Sequence, residues 1–284
     1  MEFINDLMQY EFLQKAFFTS IMVGIISGVI GSFIILRGMA LMGDAISHAV
    51  LPGVAISFML GINYFYGAVL MGVLAAITIG VVTQNSRIKN DSSIGIVFTA
   101  FFALGIILIS KAQTATDLTQ ILFGNVLSIR ESDMWITLII GTIVLLVVVL
   151  FYKELLVSSF DETMAQAYGL PTRAIHYLIM VLLTLVTVAS LQTVGVVLVV
   201  AMLITPASTA YLLTNKLWVM ILLSASIGAF SSVVGLYFSF VYNLSSGAVI
   251  VLVATFLFAL AFIFAPKQGI LWRAIRKSKT KSAI

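Results

Sequence analysis

Two side chains open the chemistry of this 284-residue chain. Asp44 and His48 stand four residues apart in Met-Gly-Asp-Ala-Ile-Ser-His-Ala-Val-Leu-Pro-Gly. On a helix that spacing puts both on one face, about one turn apart. A carboxylate beside a neutral imidazole suits a divalent first-row metal, or the handling of a proton. An Asp near the centre of an apolar span costs roughly 2.5–3.5 kcal/mol on insertion scales. Such a group normally faces a polar cavity or pairs with another charge. The structural alternative pairs Asp44 with Arg37 and lets His48 donate to a backbone carbonyl.

The other polar residues carry less. Ser47 and Pro52 share the Asp44 segment, and Thr205, Pro206 and Ser208 form a second proline-centred group with Thr209. These are candidates for lining a pathway. Equally, hydroxyls beside a proline satisfy backbone groups that the proline frees. His176 reads as an interfacial, solvated residue. Met39 and Met42 read as packing groups, with soft ligation as the alternative. Gly24, Gly28 and Gly31 fit close helix packing. The absences restrict the chemistry further. The chain has no cysteine, no Gly-x-x-x-x-Gly-Lys-[Ser/Thr], no His-Glu-x-x-His and no Gly-x-Ser-x-Gly. Thiolate sites, P-loop ATP binding, zincin proteolysis and a hydrolase elbow are therefore not expected.

The elements that must hold these residues are membrane helices. Hydrophobic residues make up 61% of the chain and charged residues 9%, with mean hydropathy +1.17. Soluble domains are about 45–50% apolar and 25% charged, so a soluble enzyme, a disordered protein and an ordinary nucleic-acid binder are excluded. A bilayer core about 30 Å thick takes roughly 20 apolar residues per helix. Apolar windows predict nine spans, at 17–36, 44–60, 64–82, 94–110, 134–152, 174–191, 194–213, 217–240 and 246–264. Residues 1–16 read as an amphipathic segment on the outer surface, 17–264 as the membrane domain and 265–284 as a basic cytoplasmic tail. Met1–Gln14 carries Glu2, Asp6 and Glu11 without a basic start, so no cleavable signal is expected.

Lys and Arg give the orientation. With the C-terminus inside, twelve basic residues fall in cytoplasmic segments and only Lys15, Lys111 and Arg130 fall outside. That split follows the positive-inside rule and predicts an external N-terminus. Spans 1–4 and 6–9 then run in opposite senses, with span 5 as linker. This is the form of an inverted repeat, in which sites lie near mid-membrane between the repeats. The matched spans 2 and 7 carry Pro52 and Pro206.

Two connections are long. One, 111–133, lies outside and includes Asp117, Phe123, Gly124 and Asn125. The other, 153–173, lies inside. There, Asp161–Tyr168 reads as a short helix capped by Ser159, with Asp161 and Glu162 in its first turn and Gly169 as its stop. Its apolar residues Leu155, Leu156, Phe160, Met164 and Tyr168 are expected to face a partner.

Arg37–Gly53, Arg-Gly-Met-Ala-Leu-Met-Gly-Asp-Ala-Ile-Ser-His-Ala-Val-Leu-Pro-Gly, resembles the membrane permeases of ABC transporter family 3, the bacterial manganese, zinc and iron uptake permeases. The likeness continues through Ile94–Gly105, Leu118–Asn125, Ser159–Gly169 and Val194–Ala210, and is nearest to the manganese permeases of Gram-positive bacteria. It implies an all-α polytopic fold of eight or nine spans, of the type II ABC-importer kind, in the bacterial cell membrane. It implies that Asp44 and His48 coordinate metal in the translocation path. It implies a homodimer, two cytoplasmic ATP-binding ABC subunits and an external metal-binding lipoprotein. The transported metal would be manganese, or else zinc or iron, with no cofactor bound permanently and no ATP hydrolysis on this chain. Phe160, Asp161, Glu162, Met164, Ala165, Tyr168 and Gly169 resemble the coupling helix that docks on the ATPase, though they depart from the longer Glu-Ala-Ala pattern of other importers.

A dimer repeats each patch across its axis, so it would gather two Asp and two His. Manganese binds weakly in the Irving–Williams order, so such a site would not reject zinc unaided. The competing function is an ion- or proton-coupled secondary carrier independent of ATP. It shares the inverted repeat and the intramembrane Asp, but has no use for a docking element at 153–173. An intramembrane hydrolase is remote, given the absent motifs.

Overall fold

The structure is a computed structural model that describes residues 9–112 and 129–265. Among the described residues there are nine helices or helix pairs long and apolar enough to cross a membrane. Span 1 is α1 (Glu11–Leu36). Span 2 is a pair, α2 (Met42–Ala49) and α3 (Leu51–Leu60), meeting at Val50. Spans 3 to 5 are α4 (Tyr64–Asn85), α5 (Asn90–Ala112) and α6 (Glu131–Leu150). Two short helices follow, α7 (Tyr152–Phe160) and α8 (Glu162–Ala167). Spans 6 to 9 are α9 (Thr172–Val194), α10 (Val196–Leu213), α11 (Leu217–Tyr242) and α12 (Ser246–Phe264).

Most boundaries match the hydropathy windows within a few residues. Span 1 is the main difference, because its helix starts at Glu11 and not at residue 17. Leu13 and Ala16 are fully buried, so one side of this turn packs into the bundle, while Tyr10 and Phe12 stay exposed. Phe3 and Leu7 of the expected amphipathic segment, the Asp117–Asn125 stretch and the basic tail lie outside the described residues.

The helices pack as two interlocked groups of four. Within the first, α3 packs on α4 and α5, and α4 packs on α5. Within the second, α10 packs on α11 and α12, and α11 packs on α12. The leading helix of each group crosses over: α1 packs chiefly on α11, and α9 packs on α4. Spans 1 and 6 are thus exchanged between the groups in matching fashion, in keeping with the inverted repeat expected from the sequence.

Small residues permit the first crossing. A Cβ on Gly24 would stand 2.6 Å from the Gly228 carbonyl oxygen, and one on Gly28 2.7 Å from that of Ser224. The backbones of α1 and α11 therefore touch. Ser224 Oγ donates to the Gly28 carbonyl over 2.8 Å, so the contact also carries an interhelical hydrogen bond. The outward faces are apolar, with Leu222, Phe230, Leu252 and Phe256 exposed. In a membrane helix bundle these face lipid.

The matched prolines behave differently. Pro52 sits in the first turn of α3, just after the junction at Val50. Pro206 lies inside α10, which runs through it. There Thr209 Oγ1 donates to the Thr205 carbonyl over 2.7 Å, a bond back along its own helix that leaves the Met202 carbonyl, freed by Pro206, untouched. The break in span 2 suits its neighbours: a Cβ on Gly105 of α5 would come within 3.2 Å of Pro52 Cδ.

Candidate functional site

Helix α2 presents Asp44 and His48 on one face, one turn apart. His48 Nε2 and Asp44 Oδ1 are 3.6 Å apart, with side-chain exposures of 27% and 47%. That distance is too long for a hydrogen bond, so each keeps its lone pairs. A cation held about 2.0–2.2 Å from each atom, the usual reach of imidazole and carboxylate ligands, closes a triangle on that base. His48 Nδ1 is buried with no hydrogen-bond partner. The imidazole lies against two rings of α5, with centroid distances of 5.7 Å to Phe98 and 5.5 Å to Phe102. These rings hold the imidazole beside the carboxylate without competing for its lone pairs.

Neither half of the structural alternative is seen. Arg37 turns away from Asp44: its Nη2 donates to Ser158 Oγ over 2.7 Å and its Nε to Ser159 Oγ over 3.2 Å. Among the described residues no group of three or more His, Cys, Asp or Glu is gathered. One chain therefore offers two strong ligands, Asp44 and His48.

The weaker pathway candidates stand on α2, α3 and α10. Ser47 is buried and its hydroxyl donates to the Gly43 carbonyl over 2.8 Å, inside α2. Pro52 is buried one helix further along. Thr205, Pro206 and Ser208 stand on α10, which meets α2 through Leu203. A Cβ on Gly43 would lie 2.8 Å from Leu203 Cδ1.

The 153–173 connection folds as two helices. Asp161, not Ser159, caps α8: its carboxylate accepts from the Met164 N–H over 2.9 Å. Ser159 is instead the penultimate residue of α7, where it accepts from Arg37. The stop is as expected. Gly169 has φ +78°, with its N–H on the Gln166 carbonyl and the Leu170 N–H on that of Ala165. This is the paired bonding of a Schellman motif. A Cβ on Gly169 meets nothing within 4 Å, so only backbone conformation demands glycine there.

Phe160, Met164 and Tyr168 are all exposed, while Ala165 is fully buried beneath them. The chain breaks between Phe160 and Met164 at extended Asp161, so the three apolar side chains belong to α7, to α8 and to its C-cap, and what they share is exposure. Leu155 is fully buried and offers no surface to a partner, while Leu156 is half-buried against the core. Asp161 and Glu162 are exposed. Burial holds the Arg37 guanidinium below its ordinary pKa, and Glu162 partly offsets this. His176, expected to be solvated, is half-buried and its Nε2 is enclosed with no hydrogen-bond partner.

Sequence reasoning missed Phe98 and Phe102 as companions of His48. Their four-residue spacing on α5 was the available signal. It missed Ser158 altogether, because no periodicity links a serine to an arginine 121 residues away.

A polytopic helix bundle with exchanged repeats, an intramembrane Asp–His pair and an exposed apolar turn has the features of a membrane permease. Residues 9–265 match the ABC 3 transport family, and the chain belongs to it. It is 67% identical over 277 residues to the manganese transport system membrane protein MntC of Listeria monocytogenes, covering 98% of this chain and 99% of that one. Its fold is similar to that of a solved chain of PsaBC from Streptococcus pneumoniae in complex with Fab. The TM-score there is 0.85 and the identity 55%, over 94% of this chain and 96% of that one. A metal-chelate type ABC transporter in an inward-facing conformation shares the fold at TM-score 0.70 and 17% identity, over 88% and 85% of the chains. The chain is a multi-pass permease of the bacterial cell membrane.

Proposed function

We propose that this chain is the membrane-spanning subunit of an ATP-driven importer of divalent transition metal, with manganese as the cargo and zinc or iron as competitors. The observation that carries this reading is the Asp44–His48 pair. A carboxylate and an imidazole share one face of an apolar span, 3.6 Å apart and not hydrogen-bonded to one another. An intramembrane carboxylate left half-exposed needs water, a partner charge or a cation in front of it.

Two ligands are too few to replace the water shell of such an ion. A second copy related by a two-fold axis doubles them to two carboxylates and two imidazoles. The reading therefore includes a homodimer with the metal path at its interface. It also includes two ATP-binding subunits docked on the Phe160–Gly169 turn and an external metal-binding lipoprotein. Metal-named relatives and the exposed side chains of Phe160, Met164 and Tyr168 favour it over an ATP-independent carrier.

The experiment is uptake of labelled manganese by liposomes holding the permease and its ATPase, with the lipoprotein outside and ATP inside. Uptake that requires ATP and is lost in Asp44→Asn supports the reading. Uptake driven by an ion gradient without ATP overturns it in favour of the secondary carrier.

A further inference from the structure

A second buried polar atom lies at the ends of α2, α4, α5 and α9 that share a membrane face with α7 and α8. Met39, Met42, Met180 and His176 surround a small void there, with Thr83 and Asn90 also on its lining. Met39, Met42 and Met180 are at most 3% exposed, so their thioethers are committed to the interior. His176 Nε2 is buried with no hydrogen-bond partner. Leaving a buried polar atom unpaired costs about 1–3 kcal/mol, and native structures keep few such atoms without a reason. The centre of a water-sized body can move through about 10 Å³ of the void, which is room for one water or one bare ion.

We propose that His176 and the thioethers of Met39, Met42 and Met180 form a binding site for a soft monovalent cation of the copper(I) or silver(I) type. The donor set decides the class. Thioether sulfur selects copper(I) among biological metals, and imidazole accompanies it readily. Hard divalent ions prefer the carboxylate of Asp44, and no carboxylate lines this void. The site lies where α9, exchanged out of the second group, packs against α2 and α4 of the first, with α5 beside them. A bound ion would pin these helices together. Under the import reading above, alternating access would move membrane helices against one another, and a set held by an ion would slow it. The binding itself does not depend on that reading.

The test uses silver(I), which keeps one oxidation state, on the purified full chain in detergent. Equilibrium dialysis against a soluble thioether competitor should give one tightly held silver per chain. His176→Ala and Met180→Leu should weaken it by at least about tenfold, as loss of a metal ligand does. Met202→Leu, at a methionine equally buried elsewhere, should leave it unchanged. Silver-edge X-ray absorption should show a sulfur-rich shell with one nitrogen. If His176→Ala does not fold, Met39→Leu and Met42→Leu preserve side-chain volume and carry the same expectation. Unchanged affinity in the ligand variants, an oxygen-dominated shell, or manganese(II) held as tightly as silver(I) would overturn the proposal. In liposomes, silver should block manganese uptake by the wild type and not by Met180→Leu. Equal block of both would overturn the pinning while the dialysis result still stands for or against the site.

Discussion

Arg37 Nη2 and Ser158 Oγ meet at 2.7 Å, joining the turn after span 1 to α7, the helix that leads into α8. The same guanidinium holds Ser159 through Nε, so its two bonds fix the orientation of α7. Asp44 follows Arg37 by seven positions along the chain, and Phe160 follows Ser158 by two. The contact therefore stands between the candidate metal pair and the candidate ATPase dock.

Hydrogen bonds from a charged donor are worth about 1.5–3 kcal/mol each. Arg37→Gln should leave the ATPase bound but loosen α7, so that hydrolysis continues while uptake per ATP falls roughly tenfold. Arg37→Lys, able to reach one serine at a time, should fall between. Manganese transported per ATP hydrolysed is the measurement. Equal ratios in all three proteins would show that the contact only packs the turn.

Asp44→Asn and His48→Ala should each reduce manganese uptake to background while dimer and ATPase assembly persist. Removing a half-exposed carboxylate's charge does not open a cavity and can relieve a desolvation cost. Co-purification and labelled-manganese uptake, measured at matched permease levels, separate the two effects. Wild-type uptake by both variants would remove the site assignment.

Met164→Asp places a charge among exposed apolar side chains, between Phe160 and Tyr168. Burying it against a partner should cost several kcal/mol, so the ATPase should fail to co-purify while the permease itself stays folded. Gly169→Pro should act on the backbone, since proline holds φ near −65° and the native value is +78°. Normal ATPase binding and transport in both would reduce α7–α8 to an interfacial helix pair.

Orientation is open to direct labelling, because the chain has no cysteine. With the N-terminus outside, Ile62→Cys in the α3–α4 turn should react with an impermeant thiol reagent in intact cells, and Ile88→Cys in the α4–α5 turn should not. Both positions are exposed in the structure. Reversed labelling would invert the assignment of the faces. Asn5, Thr114 and Ser278, natural choices by sequence, lie outside the described residues.

Hydropathy located nine spans because a bilayer imposes a length on every apolar run. The Asp44–His48 pairing was legible for a similar reason, since a four-residue spacing within one helix needs no tertiary knowledge. Position along a span was less legible. Residues 11–16 look amphipathic because Glu11 and Lys15 interrupt them, yet those two pair at 2.6 Å, and so the helix can continue through them. The cap of α8 was misplaced by two residues. Ser159 and Asp161 are both good caps, and only the continuation of α7 through Phe160 decides between them. The enclosure of His176 was invisible, because its walls come from four helices with distant numbers.

The exchange of α1 and α9 also bears on how the chain is made. Gly24 finds its partner backbone only at Gly228, 204 residues later. At a translation rate of about 5–20 residues per second, the leading helix waits roughly 10–40 s in the bilayer before that surface emerges. During that interval its stripe of small residues lies open to any helix of suitable shape, from this polypeptide or a neighbouring one. Neither set of four helices can mature alone, so a chain truncated before α11 should be a substrate for membrane proteases and not half a permease.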